Sequence, residues 1–245
     1  MALLVALVFS ASGFGQSAAP ASAFDAASIR LSTPDDVRGS TFEFPPGGVR
    51  ITNGTLMAII ESAFEVRDFQ ILGAPGWADS DHFNIVARSA EGDRSLEISA
   101  TRRKLQTLLS QRFRLKMHRE TRELPVYALA IGKNSSKLND AKTSNGPAGI
   151  QRACGQMTGT GSSITNLATY LSRELGRPVQ DRTDLTGRYD FHVDWTPDAG
   201  PCTGASTDGP SLFTALQEQL GLKLESTRGP VEVIMIDSVE KPDAN

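Results

Sequence analysis

Reactive side chains are scarce in this chain: 245 residues hold three histidines and two cysteines. His192 and Asp194 stand two apart in Tyr189-Asp190-Phe191-His192-Val193-Asp194, where strand alternation puts both on one face. A carboxylate beside an imidazole is the start of an acid–base pair. Asp79, Asp81 and His82 cluster after Trp77, and would complete a metal or proton-transfer site if the fold carried them to His192. A solvated strand face and a polar turn account for the same residues. Other signatures fail outright. No Gly-x-Ser-x-Gly elbow is present to expose a serine nucleophile. Gly159-Thr160-Gly161-Ser162-Ser163 lacks the Lys-Ser/Thr that closes a phosphate loop and reads as a turn. His-Glu-x-x-His is absent too. The sequence therefore assigns no catalytic residue, no metal ligand and no cofactor.

The pronounced charge feature is basic. Between Arg102 and Arg122, eight Lys or Arg face a single acid, Glu120, a local charge of +7 in a chain of net −3. That net charge gives no footprint for nucleic acid. The candidate binding surface is Arg112, Arg114, Lys116, His118, Arg119 and Arg122. Arg114, Lys116 and His118 are expected on one strand face, opposite Leu115 and Met117. Such a patch can steer an anionic partner. Equally, it can keep a sheet edge from aggregating.

These residues need elements to hold them. Leu56, Ile59, Ile60 and Phe64 stand at offsets 0, 3, 4 and 8, a spacing repeated from Leu105, Leu167 and Leu212. Each set forms one stripe of an amphipathic helix. Phe113-Arg114-Leu115-Lys116-Met117 and Leu220-Gly221-Leu222-Lys223-Leu224 then alternate like half-buried strands. Pro125-Val126 and Pro230-Val231 read as openings of further apolar strands. Phe83 to Val86 matches Tyr189 to Val193 between the paired helices, and extra strands are expected at 24–31, 48–52 and 151–157. The order helix, strand, helix, strand, strand occurs twice, which implies an internal duplication. The expected fold is α+β: two small modules, each with two helices on a mostly antiparallel sheet. Their bounds are 24–133 and 150–245, joined by the polar linker 134–149.

Residues 1–23 carry no Asp, Glu, Lys or Arg, and Leu3 to Phe9 is an apolar core too short to span a bilayer. With Ala21-Ser22-Ala23 as a small-residue cleavage step, residues 1–23 read as a signal peptide. Export to the periplasm or medium follows, with no transmembrane span after cleavage. In an oxidising compartment Cys154 and Cys202 can pair, a bond worth on the order of 4 kcal/mol by loop entropy. Their other reading is two thiols without a catalytic role.

Phe24-Asp25-Ala26-Ala27-Ser28-Ile29-Arg30, Gly73-Ala74-Pro75-Gly76-Trp77, Glu123-Leu124-Pro125-Val126-Tyr127 and Leu185-Thr186-Gly187-Arg188-Tyr189-Asp190-Phe191 carry a resemblance. Together they resemble a soil-associated bacterial family of exported proteins of uncharacterised function. The second half is also similar, through its helix stripe and Leu220-Gly221-Leu222, to the short domain at the start of secretins and TonB-dependent receptors. The first resemblance implies an envelope or secreted location, the second protein contact. The expected role is a noncatalytic interaction module whose partner is an envelope protein or an anionic envelope component. The alternative is an exported hydrolase with its site between the modules.

Overall fold

The computed structural model describes residues 23–33, 39–89, 97–133, 135–142, 148–197 and 209–243. The expected signal peptide up to residue 22, and Cys202, lie outside them. In chain order the first strands are β1 (Ala26–Leu31), β2 (Thr41–Glu43), β3 (Gly48–Thr55), β4 (Ile71–Leu72), β5 (His82–Arg88) and β6 (Lys116–Ile131). They are followed by β7 (Asn139–Asp140), β8 (Gly149–Ala153), β9 (Gln156–Ser162), β10 (Val179–Asp181), β11 (Tyr189–Asp194) and β12 (Leu222–Ser238). The helices are α1 (Leu56–Phe64), α2 (Trp77–Ser80), α3 (Ile98–Arg112), α4 (Ile164–Leu175) and α5 (Leu212–Ala215). A 3-10 turn (Asp68–Gln70) follows α1, and a π-helical turn (Leu216–Leu220) continues α5. Helices with largely antiparallel sheets make the chain α+β, as the patterning required.

Two compact units divide the chain. One takes residues through Gly54, Asp81–Arg114 and those from Lys241; the other takes Thr55–Ser80 and Leu115–Glu240. These units interleave along the chain, unlike the sequential division 24–133 and 150–245 expected from the repeat. In the first unit, four strands run in the order β1-β5-β3-β2. Phe83, Ile85 and Ala87 alternate inward on β5, and Leu105, Leu108 and Leu109 form the buried stripe of α3. Phe83 meets Phe113 edge-to-face at 5.2 Å, tying β5 to the end of that helix.

In the second unit the helix ends follow from local chemistry. Thr55 Oγ1 accepts from Ala58 N at 3.2 Å to cap α1, and Ser163 Oγ accepts from Asn166 N at 3.2 Å to cap α4. Both helices stop on a left-handed residue, Glu65 (φ 56°) and Gly176 (φ 58°). One sheet, β7-β11-β9-β8, lays Met157, Phe191 and Val193 into a core with Leu167, Leu171, Leu212, Leu216 and Leu220.

The other sheet, β10-β6-β12-β4, departs from expectation. The strand pairs read on either side of Pro125 and Pro230 are two continuous strands, β6 and β12. They pair antiparallel from Lys116↔Ser238 to Ile131↔Leu222. The Pro-Val steps open no new strands. The far-side neighbours explain why the prolines fit: β10 reaches only Tyr127–Leu129 and β4 only Ile234–Met235. No ladder bond from those neighbours needs the missing N–H. Two further corrections concern the β7-β11-β9-β8 sheet. Gly159–Ser162 is strand rather than turn, and the expected strand 151–157 straddles the β8–β9 turn at Cys154-Gly155.

Candidate functional site

The basic segment is distributed over both units. Half-buried Arg112 ends α3, and exposed Arg114 adopts φ 49° at the close of the first unit. This left-handed turn keeps Arg114 out of the strand, so the expected face of Arg114, Lys116 and His118 begins only at Lys116. Along β6 the basic side chains meet acids. His118 Nδ1 stands 2.9 Å from Asp237 Oδ1, the Arg119 guanidinium pairs with Glu232, and Arg122 Nε donates to Glu120 Oε1 at 2.7 Å. Asp237 and Glu232 lie 119 and 113 residues further along the chain, so a local charge count misses them. The first two pairs are exposed and the third is partly so, and such pairs contribute about 0–1 kcal/mol each. They are cheap to exchange for a partner's charges.

On the polar face of the β7-β11-β9-β8 sheet, β11 and β9 pair His192 with Thr158. His192 Nδ1 is 2.8 Å from Thr158 Oγ1, and Nε2 is 2.9 Å from Asp194 Oδ2. The hydroxyl, missed from the sequence, could have been found from the alternation of Gln156, Thr158 and Thr160. Gln219 fixes the backbone at Asp194, accepting from its N–H at 3.0 Å and donating to its carbonyl at 2.8 Å. The imidazole and carboxylate are about half exposed, at 51% and 53%. They sit on an open sheet surface. Two residues before His192, the Asp190 carboxyl accepts from the backbone N–H groups of Gly161 (2.8 Å) and Lys142 (3.1 Å), which hold its pKa below the ordinary carboxylate value.

The remaining candidates have other neighbours. Asp81 pairs with Lys241 at 2.6 Å in the first unit, where His82 also lies. Asp79 instead belongs to the surroundings of Glu61 on α1. Burial raises the Glu61 pKa, Asp68 and Asp79 add to the rise, and Arg67 opposes it. Among the described residues, no group of three or more His, Cys, Asp or Glu is placed to hold a metal ion. Also among them, no helix is long and apolar enough to cross a membrane.

Glu61 yields a measurable expectation. In the folded chain it keeps a proton that an unfolded glutamate has released, so stability falls as pH rises from the ordinary glutamate value through the raised one. Glu61→Gln is therefore expected to raise the melting temperature at pH 7 and to flatten that part of the stability curve. A lower melting temperature would instead place the carboxylate in a stabilising pair.

The model of a family described as "Protein of unknown function (DUF3738)" matches residues 57–239. No curated protein and no solved structure matches the chain.

Proposed function

The chain belongs to this family of proteins of unknown function, and on that premise we propose a noncatalytic exported module that binds an envelope protein or an anionic envelope component. The Arg119–Glu232 and Arg122–Glu120 ion pairs of β6, with the His118–Asp237 hydrogen bond beside them, carry the reading. His118, Arg119 and Arg122 line the β6–β12 ladder in pairs that a partner's acids can replace at little cost. Residues 1–23, read as a signal peptide, and the resemblance to exported soil-associated proteins support a periplasmic or secreted location. The likeness of the second half to the short domain of secretins favours protein contact. Internal duplication fits the same picture. It draws support from the left-handed ends of α1 and α4, and from Leu124 opposite Gly229, the residues before the two Pro-Val steps.

The test is retention of the mature protein on phosphatidylglycerol vesicles and on envelope extract. Binding is expected to weaken with added salt, since the screening length is about 8 Å at physiological ionic strength. Lys116→Glu with Arg119→Glu should abolish retention while changing stability by only about 0.5 kcal/mol for each exposed site. Undiminished retention would mean that the charges merely solvate the strand.

A second reading, an exported hydrolase, rests on the Thr158–His192–Asp194 chain. In the tautomer that donates Nε2–H to Asp194, Nδ1 accepts the Thr158 proton, the polarity a hydroxyl nucleophile needs. Hydrolysis of p-nitrophenyl acetate that disappears in His192→Ala would favour this reading over the binding module.

The cysteine pairing belongs to the same proposal. Cys154 occupies an exposed turn between β8 and β9, a place that accommodates a staple. Protein purified from the periplasm is expected to show no reactive thiol before reduction, and Cys154→Ala to cost on the order of 4 kcal/mol. Two thiols reactive without reductant would contradict the bond.

A further inference from the structure

We propose that the cleft beside Phe213 is a binding site for a single neutral sugar ring. The cleft encloses about 240 Å³ and is lined by Phe213, Thr214, Gln217, Glu218, Lys223 and Leu224. Its aromatic wall is held in place. Phe213 meets Tyr127 edge-to-face at 5.4 Å, and the Arg177 guanidinium stacks over the Tyr127 ring at 4.4 Å. Arg177 is itself anchored by a 3.0 Å hydrogen bond to Ser226 Oγ. Yet Phe213 remains 37% exposed, so a large apolar side chain is fixed on a second ring and left partly open to solvent.

The π-helical turn is the second observation. One-turn π segments occur frequently at functional sites, because the extra residue redirects side chains that an α-helix would space evenly. Here the turn lets Gln219 face β11, where it clamps Asp194, while Gln217 and Glu218 line the cleft. The carbonyl of Glu218 accepts from Lys137 Nζ at 2.6 Å, which satisfies a group left over by the irregular winding.

The polar lining selects the ligand class. Thr214 and Gln217 offer donors and acceptors together, Glu218 accepts only, and Lys223 donates only. Lys223 Nζ already pairs with Glu225 Oε1 at 2.5 Å, which leaves no spare positive charge for an anion, while Glu218 stays available to accept from a hydroxyl. A ligand that suits such a cleft has hydroxyls that both donate and accept, and a C–H face to lie on an aromatic ring. A pyranose has both. The site is separate from the ionic pairs of β6, and its test is independent of theirs.

The probe is a panel of methyl glycosides of glucose, galactose, mannose and N-acetylglucosamine, followed by saturation-transfer NMR on the full mature chain. Transfer to the ring C–H protons of at least one glycoside is expected, insensitive to salt. Phe213→Ala should weaken it at least about tenfold, a loss of about 1.4 kcal/mol. Gln217→Ala, an exposed change that leaves the ring stack intact, should weaken it too. Absence of transfer from every glycoside would overturn the proposal. So would equal transfer in a folded Phe213→Ala variant. Salt-sensitive binding of inorganic phosphate at the same residues would show an anion site instead.

Discussion

Leu216→Asp and Leu109→Asp are each expected to cost about 4 kcal/mol or more and to leave little folded protein. Both leucines are fully buried. Leu216 stands where α5 passes into the π-helical turn, in the core that also holds Met157, Phe191 and Val193. Truncating such a side chain alone costs roughly 2–5 kcal/mol, and an unpaired carboxylate adds its desolvation. Domains of this size have only about 5–15 kcal/mol in total. Urea unfolding of the variants beside Leu216→Met, a volume-conserving change expected to cost under about 1.5 kcal/mol, separates charge from shape. Midpoints close to the parent's for both Asp variants would refute the placement of these helix stripes.

Gly159→Val should lower stability by about 3 kcal/mol through overpacking. Gly159 pairs with Phe191 across β9 and β11, and the Phe191 ring lies where a Cβ on residue 159 would go. The glycine is there for space: the ring covers its Cα and joins the core. Pairing Gly159→Val with Phe191→Ala isolates the clash, because removal of the ring removes the obstacle. The double variant is expected to lose less than the sum of the single ones. Strict additivity would show that the ring and the glycine are not coupled. Gly149→Val, on the adjoining strand with nothing within 4 Å of its Cβ position, serves as the tolerant control.

What the sequence disclosed follows the range of each interaction. Helix stripes are local, and the offsets from Leu56, Leu105, Leu167 and Leu212 mark helices whose stripes are buried, although α3 begins earlier, at Ile98. Strand ends were harder to read. Pro125 and Pro230 look like strand starts until β10 and β4 are seen to stop short of them. The pairing of β6 with β12 joins segments too distant for any window to connect, so neither the partners of Arg119 and His118 nor the long two-stranded ladder is visible in the sequence. His192 and Asp194 were legible as a pair because they share one strand. Thr158, on the next strand, required the register. The surroundings of Phe213 cannot be read from its own segment, because Tyr127, Arg177 and Lys223 come from three others and the π-helical turn has no sequence signature.

The antiparallel ladder between β6 and β12 also sets the order in which this chain can acquire its structure. Ile131 meets Leu222 and Lys116 meets Ser238, so β6 leaves the ribosome well before its partner is made. At roughly 5–20 residues per second the wait lasts several seconds. Contacts so remote in sequence also slow the search for the native state, since chain entropy is lost before the pairing can compensate. During that interval β6 is an open edge, and its apolar half, from Val126 to Ile131, is a template for aggregation. The charged half from Lys116 to Glu123 is what keeps the waiting strand from pairing with its neighbours in solution.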